Sequence, residues 1–255
     1  MIEPDFSLAV AMGLSLAAGL MRGFAGFGSG MMLSPVFAIL YGPAEAVLMI
    51  AVMEIVVSVQ LVPKALPDVQ WPFLGPLILA AVVGMPLGAW LLATTEPELI
   101  TRIIAAIVLV FVIVLAVGWR YQGPKRLLPT LGVGGVSGAL LTATSVGGPP
   151  VLLYILSGQD SARTNRANII LYFAIAEIIT PVFLYLQGLF AMEVVIRALT
   201  ICPAYMVGAW VGSRLFRESS EQVYRRVALI FLSMIALYGI LSVQDAVLSL
   251  YLEAL

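Results

Sequence analysis

The 255-residue sequence contains no histidine and a single cysteine, and only 11% of its residues are charged. Without histidine, the chain lacks the commonest general base and the commonest metal ligand of proteins. Cys202 cannot form an internal disulfide, and one thiol without histidine is neither a metal site nor a cysteine–histidine catalyst. The formal net charge of −1 excludes a polybasic surface for nucleic acid as the main feature. These absences disfavour an enzyme, a metalloprotein and a nucleic-acid-binding protein.

Hydrophobic residues are what the sequence has in excess. They make up 62% of the chain, whereas a soluble globular domain contains about 45–50%. Because a membrane-spanning helix needs about 20 apolar residues, the chain has room for several spans and almost no soluble domain. The sequence therefore predicts an all-α polytopic membrane protein in contact with the lipid bilayer.

Apolar runs divide the chain into two halves of similar organisation, residues 1–122 and 123–255. Each half contains a glycine-rich break followed by a run too short to span a bilayer, which predicts a re-entrant helical hairpin with a buried, non-helical tip. The predicted segments of the first half are a hairpin at 6–41 and spans at 44–63, 72–93 and 99–119. Those of the second half are a hairpin at 127–157 and spans at 167–187, 192–213 and 223–243.

Basic residues are distributed unevenly in this topology. Of the 13 lysines and arginines, ten lie on one side of the membrane: Lys64, Arg120, Lys125, Arg126, Arg163, Arg166, Arg214, Arg217, Arg225 and Arg226. Arg102 and Arg197 lie on the other side, and Arg22 lies within the membrane. Since basic residues concentrate in cytoplasmic loops, both termini are predicted on the outer side. If the second hairpin crossed the membrane once instead, the basic loops at 120–126 and 163–166 would face opposite sides.

Matched motifs in the two halves indicate an internal repeat. "GLMRGFAGFGSG" from Gly19 corresponds to "GALLTATSVGGP" from Gly138, and Glu54 in "MEIVVS" corresponds to Glu177 in "AEIITP". "GMPLGAW" likewise corresponds to "YMVGAWVG". A hairpin plus three spans crosses the membrane an odd number of times, so the halves are predicted to be inverted repeats. Inverted repeats with discontinuous helices are typical of secondary transporters, whose binding site lies at the interrupted segments.

The two breaks supply groups that suit an anion. Helices that start just after them would point free N–H groups at the breaks, which favours negative charge there. Arg22 adds a permanently charged, forked donor that matches an oxyanion. The predicted substrate-binding residues are Arg22, Gly26, Phe27, Gly28, Ser29, Gly30, Thr142, Thr144, Ser145, Gly147, Gly148 and Pro149. The alternatives are that the glycines are helix-packing surfaces, and that Arg22 is a structural partner for Glu54 or for carbonyls freed by the break.

Glu54 and Glu177 lie inside apolar runs, where an ionisable side chain is a functional candidate. Burial disfavours the charged form of a carboxyl, so either residue could carry a proton near neutral pH. Both are therefore candidates for coupling anion movement to a proton. The alternative is a neutral, hydrogen-bonded acid that ties helices together.

Two GxxxG motifs, Gly84 to Gly88 and Gly208 to Gly212, favour close helix approach. They predict packing within the chain or, as the alternative, the seam of a homodimer.

The paired motifs "RGFAGFGSGMMLSP" and "TATSVGGPPVLLYILSG" resemble the TauE/SafE family, also called the sulfite exporter or toluene sulfonate uptake permease family. The resemblance covers essentially the whole chain. It implies a permease of the bacterial inner membrane for sulfite, sulfoacetate or related organosulfur anions, without a bound cofactor. It also assigns the glycines and hydroxyls at 26–30 and 144–150 to the substrate site. Ser29 departs from the triple-glycine form that is commonest in the family, and Arg22 precedes the motif, as in some members.

Residues and resemblance together predict a secondary transporter that exports a small sulfur oxyanion by alternating access, with proton coupling as a further expectation. Three alternatives remain at this point: an anion channel, an uptake permease for another small anion, and a non-transporting membrane scaffold. A membrane-embedded enzyme would need a nucleophile, base or metal cluster within the bilayer, which isolated acids and one cysteine do not provide.

Overall fold

The computed structural model describes residues 4–117, 121, 123, 125–158 and 160–218. Within these ranges the chain is helical and contains no strand. The helices of the first half are α1 (Pro4–Ala25), α2 (Ser29–Tyr41), α3 (Pro43–Ala65), α4 (Trp71–Thr94) and α5 (Pro97–Ala116), with a short 3-10 helix at Leu66–Asp68. Those of the second half are α6 (Leu127–Thr144), α7 (Gly148–Ile155), α8 (Ala162–Leu186) and α9 (Met192–Glu218). The last predicted span, 223–243, lies outside the described residues.

Six of these helices are long and apolar enough to cross a membrane: α1, α3, α4, α6, α8 and α9. Large apolar side chains face outward on several of them, as Val59 on α3, Val83 on α4 and Leu128 on α6 illustrate with exposures of 75%, 79% and 81%. An outward apolar surface on long apolar helices suits contact with lipid. The predicted class, an all-α polytopic membrane protein, is confirmed.

Both predicted helix interruptions lie at the glycine-rich motifs. Between α1 and α2, Gly26 and Gly28 have φ values of 84° and 95°, in the left-handed region that glycine adopts readily. Between α6 and α7, Ser145 has a φ of 56° and is the one non-glycine residue with positive φ in the described part of the chain. Backbone of this kind cannot continue a helix, so each motif ends one helix before the next begins.

The α6–α7 pair is a hairpin whose two ends meet. Lys125, just before α6, donates to the carbonyl of Ile155 at the end of α7 over 3.0 Å. One turn further in, the hydroxyl of Tyr154 lies 2.8 Å from Oγ1 of Thr130. The start of α6 and the end of α7 are thus neighbours, which favours the predicted hairpin; how this segment lies in a membrane stays a prediction.

Salt bridges connect the loops in two groups, one at each end of α3. At the end of α3, Asp68 pairs with Arg163 over 2.7 Å, and nearby Lys125 pairs with Asp160 over 3.1 Å. At its start, Glu45 pairs with Arg197. This grouping agrees with the predicted one, in which the loops of Asp68, Lys125 and Arg163 share a side and Arg197 lies opposite. The orientation of these sides in a membrane stays a prediction.

Asp160 is a test of how much the first loop group contributes to stability. A hydrogen bond from Gln70, aided by Lys125, lowers the pKa of Asp160 below its ordinary value of 3.8 despite partial desolvation. A carboxyl with a lowered pKa stabilises the fold above its ordinary value, and this contribution is lost as the pH falls through the lowered one.

We therefore expect Asp160→Asn to lower the melting temperature at pH 7, and the difference from wild type to shrink below about pH 4. Thermal unfolding of the detergent-solubilised protein across this range would measure it, with the exposed Glu98→Gln as control. A difference that did not change with pH would contradict an ionised role for Asp160.

Glycines bring helices of different halves into backbone contact. A Cβ added to Gly23 on α1 would lie 2.0 Å from the carbonyl oxygen of Ala209 on α9. A Cβ added to Gly88 on α4 would lie 2.0 Å from the carbonyl oxygen of Ala139 on α6. The first helix of each hairpin thus packs on a long helix of the other half. The GxxxG motifs pack within the chain, as the first of their two interpretations predicts; homodimer formation and the inverted relation of the halves stay predictions.

Candidate functional site

A small buried cavity lies where the two helix breaks meet. It has about 20 Å³ of space for the centres of water-sized molecules, above the roughly 10–15 Å³ that one buried water needs. Its lining comes from both breaks and from α3 and α8, namely Arg22, Phe27, Gly28, Ser29, Gly30, Met31, Glu54, Ser145, Gly148, Phe173 and Glu177. Every one of these side chains except the glycines comes from a residue that is at least nine-tenths buried.

The two breaks touch each other directly. A Cβ added to Gly30 would lie 2.2 Å from the carbonyl oxygen of Ser145, so only glycine allows this approach. One turn along α2, the hydroxyl of Ser34 donates to the carbonyl of Thr144 over 2.5 Å. Segments more than a hundred residues apart in the sequence therefore form one site.

Arg22 lines the cavity, and most of its guanidinium group contacts other groups of the protein. Its Nη1 donates to the carbonyl of Gly26, and its Nε lies 2.6 Å from Oε2 of Glu54 in an ion pair that lacks hydrogen-bond geometry. The ring of Phe173 lies 5.3 Å from the guanidinium carbon, within the range of a cation–π contact. Nη2 is buried and has no hydrogen-bond partner among the described residues. The structural partners expected for Arg22 are thus present, and one donor remains for a ligand.

Glu54 is held by several donors at once. Its Oε1 accepts hydrogen bonds from the hydroxyls of Ser29 and Tyr205, while Oε2 pairs with Arg22. Three different helices, α1, α2 and α9, thereby converge on one carboxyl group of α3. Glu54 thus connects several helices, as the structural alternative expects, but it does so partly through an ion pair with Arg22 and not as a neutral acid alone. Its role in proton coupling stays a prediction.

Glu177 differs from Glu54 in having none of these partners. It is 97% buried on α8, and the described part of the chain gives it neither a hydrogen bond nor an ion pair. Phe173, one turn earlier on the same helix, lines the cavity beside it. The two matched acids therefore have different surroundings.

The helix N-termini at the cavity are unequal. Met32 makes the hydrogen bond that closes the first turn of α2, to the carbonyl of Gly28, so the N–H groups of Ser29, Gly30 and Met31 precede the helical ladder. No side chain caps this end. At the start of α7, residues 149 and 150 are prolines and have no N–H. The expected pair of anion-attracting N-termini is thus strong at α2 and weak at α7.

The structure brings about half of the predicted substrate residues to the cavity. The lining includes Arg22, Phe27, Gly28, Ser29, Gly30, Ser145 and Gly148, and Gly26 contacts Arg22 through its carbonyl.

The remaining predicted residues, Thr142, Thr144, Gly147 and Pro149, are not among the lining. Thr142 and Thr144 donate to carbonyls of their own helix, and the carbonyl of Gly147 accepts from Ser137. In this conformation these hydrogen bonds stabilise the backbone next to the break, on the side away from the cavity.

The sequence-based prediction missed three residues: Met31 and Phe173, which line the cavity, and Tyr205, which donates to the cavity residue Glu54. Phe173 could have been found, because it precedes Glu177 by one helical turn and so shares its face. Tyr205 reaches Glu54 across a helix interface, which nothing in its surrounding sequence indicates. Among the described residues, no group of three acidic, histidine or cysteine side chains is placed to hold a metal ion.

Comparison with protein families gives one match that covers most of the chain. The family model described as "Sulfite exporter TauE/SafE" matches residues 11–239. This chain belongs to the TauE/SafE family. The match includes both helix breaks and every residue that lines the cavity. TauE/SafE proteins are membrane permeases, a family of sulfite exporters, so the protein is a multi-pass membrane protein of a transporter family. Comparisons with curated proteins and with solved structures gave no match.

Proposed function

We propose that this TauE/SafE protein is a secondary transporter that exports a small sulfur-containing oxyanion, such as sulfite or an organosulfonate such as sulfoacetate, by alternating access. The observation that carries the proposal is the buried Arg22, whose Nη2 finds no partner among the described residues in a cavity formed by two broken helices. The protein acts in the bacterial inner membrane, with both termini in the periplasm. Its two halves are inverted repeats that move relative to each other.

Unused donors support an anion in this cavity. Besides Nη2 of Arg22, the hydroxyl of Ser145 is buried without a hydrogen-bond partner in the part of the chain that the structure describes. A buried polar group without a hydrogen bond costs about 1–3 kcal/mol, so two beside one cavity favour a ligand that satisfies them. The free N–H groups at the start of α2 are a third feature that favours negative charge in the cavity. An oxyanion with several acceptor oxygens matches this set.

The size of the cavity supports alternating access over a permanently open channel. About 20 Å³ suffices for water but leaves little room for a sulfonate with an organic tail. Binding therefore requires the two breaks to separate at the contact between Gly30 and Ser145. A carrier of this kind shows saturation and counterflow in proteoliposomes, whereas a channel shows neither.

Binding of sulfite, sulfate, thiosulfate and an alkylsulfonate to the purified protein tests the site. We expect one sulfur oxyanion to raise the melting temperature of wild type, and Ser145→Ala to weaken its affinity by about tenfold through loss of one hydrogen bond to a charged group. Ser213→Ala is the matched control, because that hydroxyl bonds Trp210 on α9 away from the cavity. Equal affinities in wild type and Ser145→Ala would remove Ser145 from the site. Proteoliposomes that move none of these anions would contradict the transport function.

A further inference from the structure

Glu54 occupies donors that a free oxyanion would use. The carboxyl group is surrounded by the guanidinium of Arg22 and the hydroxyls of Ser29 and Tyr205. A guanidinium with hydroxyl donors is a common binding site for oxyanions of many kinds. The protein thus places an anion of its own in the cavity.

The guanidinium of Arg22 can bind a second oxygen atom, but only at a position next to Oε2 of Glu54. Nε and Nη2 form the edge of a guanidinium that usually binds two oxygens together. Glu54 engages only Nε, and Nη2 is unpartnered. A substrate oxygen at Nη2 would therefore lie close to Oε2 of Glu54, and two negative charges in a buried site repel each other strongly.

The charged groups around Glu54 can be enumerated by helix. α1 contributes Arg22, α8 contributes Glu177 and α9 contributes the phenol of Tyr205, while α2 contributes only the hydroxyl of Ser29. α4, α6 and α7 contain no charged residue. On α5, the charged residues Glu98 and Arg102 are exposed. Among the described residues, the lining of the cavity therefore contains one cation and two carboxyl groups.

Electroneutrality indicates which of the two carboxyl groups carries a proton when no substrate is bound. A net charge in a buried site is costly, so one of the two carboxyl groups must be protonated. Glu54 has a cation and two hydroxyl donors, whereas Glu177 has no partner in the described part of the chain. Glu54 is then the carboxylate, and Glu177 carries the proton.

We propose that the substrate anion and a proton bind together, with the anion taking the place of Glu54 at Arg22 and Glu54 binding the proton. The inference rests on the proposed function. Before binding, the cavity holds the Arg22 cation and the Glu54 anion; afterwards it holds the Arg22 cation, the substrate anion and neutral Glu54. The proton comes from water on the side where the anion binds, and it leaves with the anion. One proton therefore accompanies each monovalent anion, and the direction of flux follows the product of their two gradients.

Binding of methanesulfonate, whose charge stays at −1 near neutral pH, tests the coupling. For wild type we expect the affinity to fall as the pH rises, by up to about tenfold per pH unit, with one proton taken up per anion bound. Proton uptake is measured as the pH change of a weakly buffered protein solution. Glu54→Gln should bind without proton uptake and without pH dependence, and more tightly than wild type at pH 8. Glu177→Gln is the matched control and should keep the wild-type slope.

A second variant gives an independent measurement if Glu54→Gln fails to fold. Tyr205→Phe removes one donor from the Glu54 carboxylate, so it should tighten methanesulfonate binding at pH 8 and leave it unchanged at low pH. Wild-type binding without proton uptake would overturn the coupling and leave the anion site standing. Loss of the pH slope in Glu177→Gln but not in Glu54→Gln would also overturn it. Failure of methanesulfonate and of sulfite to bind at any pH would refute the anion site itself, and the coupling with it.

Discussion

Arg22→Gln is expected to lose both anion binding and stability, and addition of Glu54→Gln is expected to restore the stability alone. Removing one member of a buried ion pair leaves the other unpaired, at a cost of about 3–5 kcal/mol. Replacing both by amides removes that cost. Loss of the charged contact to the substrate should weaken its affinity by about 10- to 150-fold, corresponding to about 1.5–3 kcal/mol.

Two measurements on the same samples separate the structural role of Arg22 from its role in anion binding. Thermal unfolding in detergent reports the stability, and titration with thiosulfate or sulfite reports the affinity. The matched control is the pair between Arg197 and Glu45, which is about 40% exposed on both sides. Exposed pairs contribute about 0–1 kcal/mol, so Arg197→Gln should change little, alone or with Glu45→Gln. A double variant of Arg22 and Glu54 that bound the anion as wild type does would leave Arg22 with a structural role only.

Gly88→Ala is expected to destabilise the protein strongly for a substitution of one methyl group. The new Cβ would lie 2.0 Å from the carbonyl oxygen of Ala139 and 3.0 Å from the amide nitrogen of Ala143. Both obstacles are backbone atoms, so no side-chain rotation relieves the clash and α4 and α6 must separate. Forced overpacking of this kind costs about 1–3 kcal/mol, and occasionally more.

Gly75→Ala is the matched control, on the same helix, because nothing lies within 4 Å of a Cβ there. It should cost far less than Gly88→Ala, because the higher helix propensity of alanine is offset only by the crowding of its Cβ against Pro76, the next residue. Gly212→Ala on α9 should resemble Gly88→Ala, because its Cβ would lie 2.1 Å from the carbonyl oxygen of Leu20. Melting temperatures of the three variants give the comparison. If Gly75→Ala proved as harmful as Gly88→Ala, the effect would not arise from helix contact.

The helix interruptions, which depend on the local sequence, lie where the sequence predicts them. The helix breaks could be located because glycines permit positive φ and the run that follows each break is short, and the structure interrupts its helices at Gly26–Gly28 and around Ser145. The membrane acids and Arg22 could be singled out because charge is rare in hydrocarbon. That all of these residues meet in one cavity agrees with the interrupted segments marking the site.

Contacts between helices were harder to predict. Thr142 and Thr144 carry the right chemistry, but their hydroxyls bond to carbonyls four residues earlier and do not reach the cavity. Ser145, outside the helix, has no such carbonyl available and faces inward. The angular position of a residue around its helix decides whether its hydroxyl faces the cavity. The sequence of α6 does not reveal this position, because the helix is apolar on most sides and its hydrophobic pattern is weak.

Register between matched helices illustrates the same limit. The shared string Gly-Ala-Trp aligns Gly88 with Gly208. The packing instead relates Gly88 to Gly212, because Gly88 contacts Ala139 and Gly212 contacts Leu20, the residues that follow the matched glycines of the two hairpins. The two alignments differ by one helical turn, since any glycine on the same face of a helix can serve the same close approach.

The two prolines that open α7 have a consequence for the kinetics of transport. Because they remove N–H groups from one break and not from the other, the two faces of the cavity hold an anion with different strength. An anion bound at the start of α2 accepts more backbone N–H hydrogen bonds than one bound at the start of α7, so conformations that hold the anion at one break or the other should differ in half-saturating concentration. Thermodynamics forbids this asymmetry from shifting the final distribution of the anion. It makes the maximal rate of transport differ between the two directions while the rates at low concentration stay equal, a form of rectification that identical breaks could not produce.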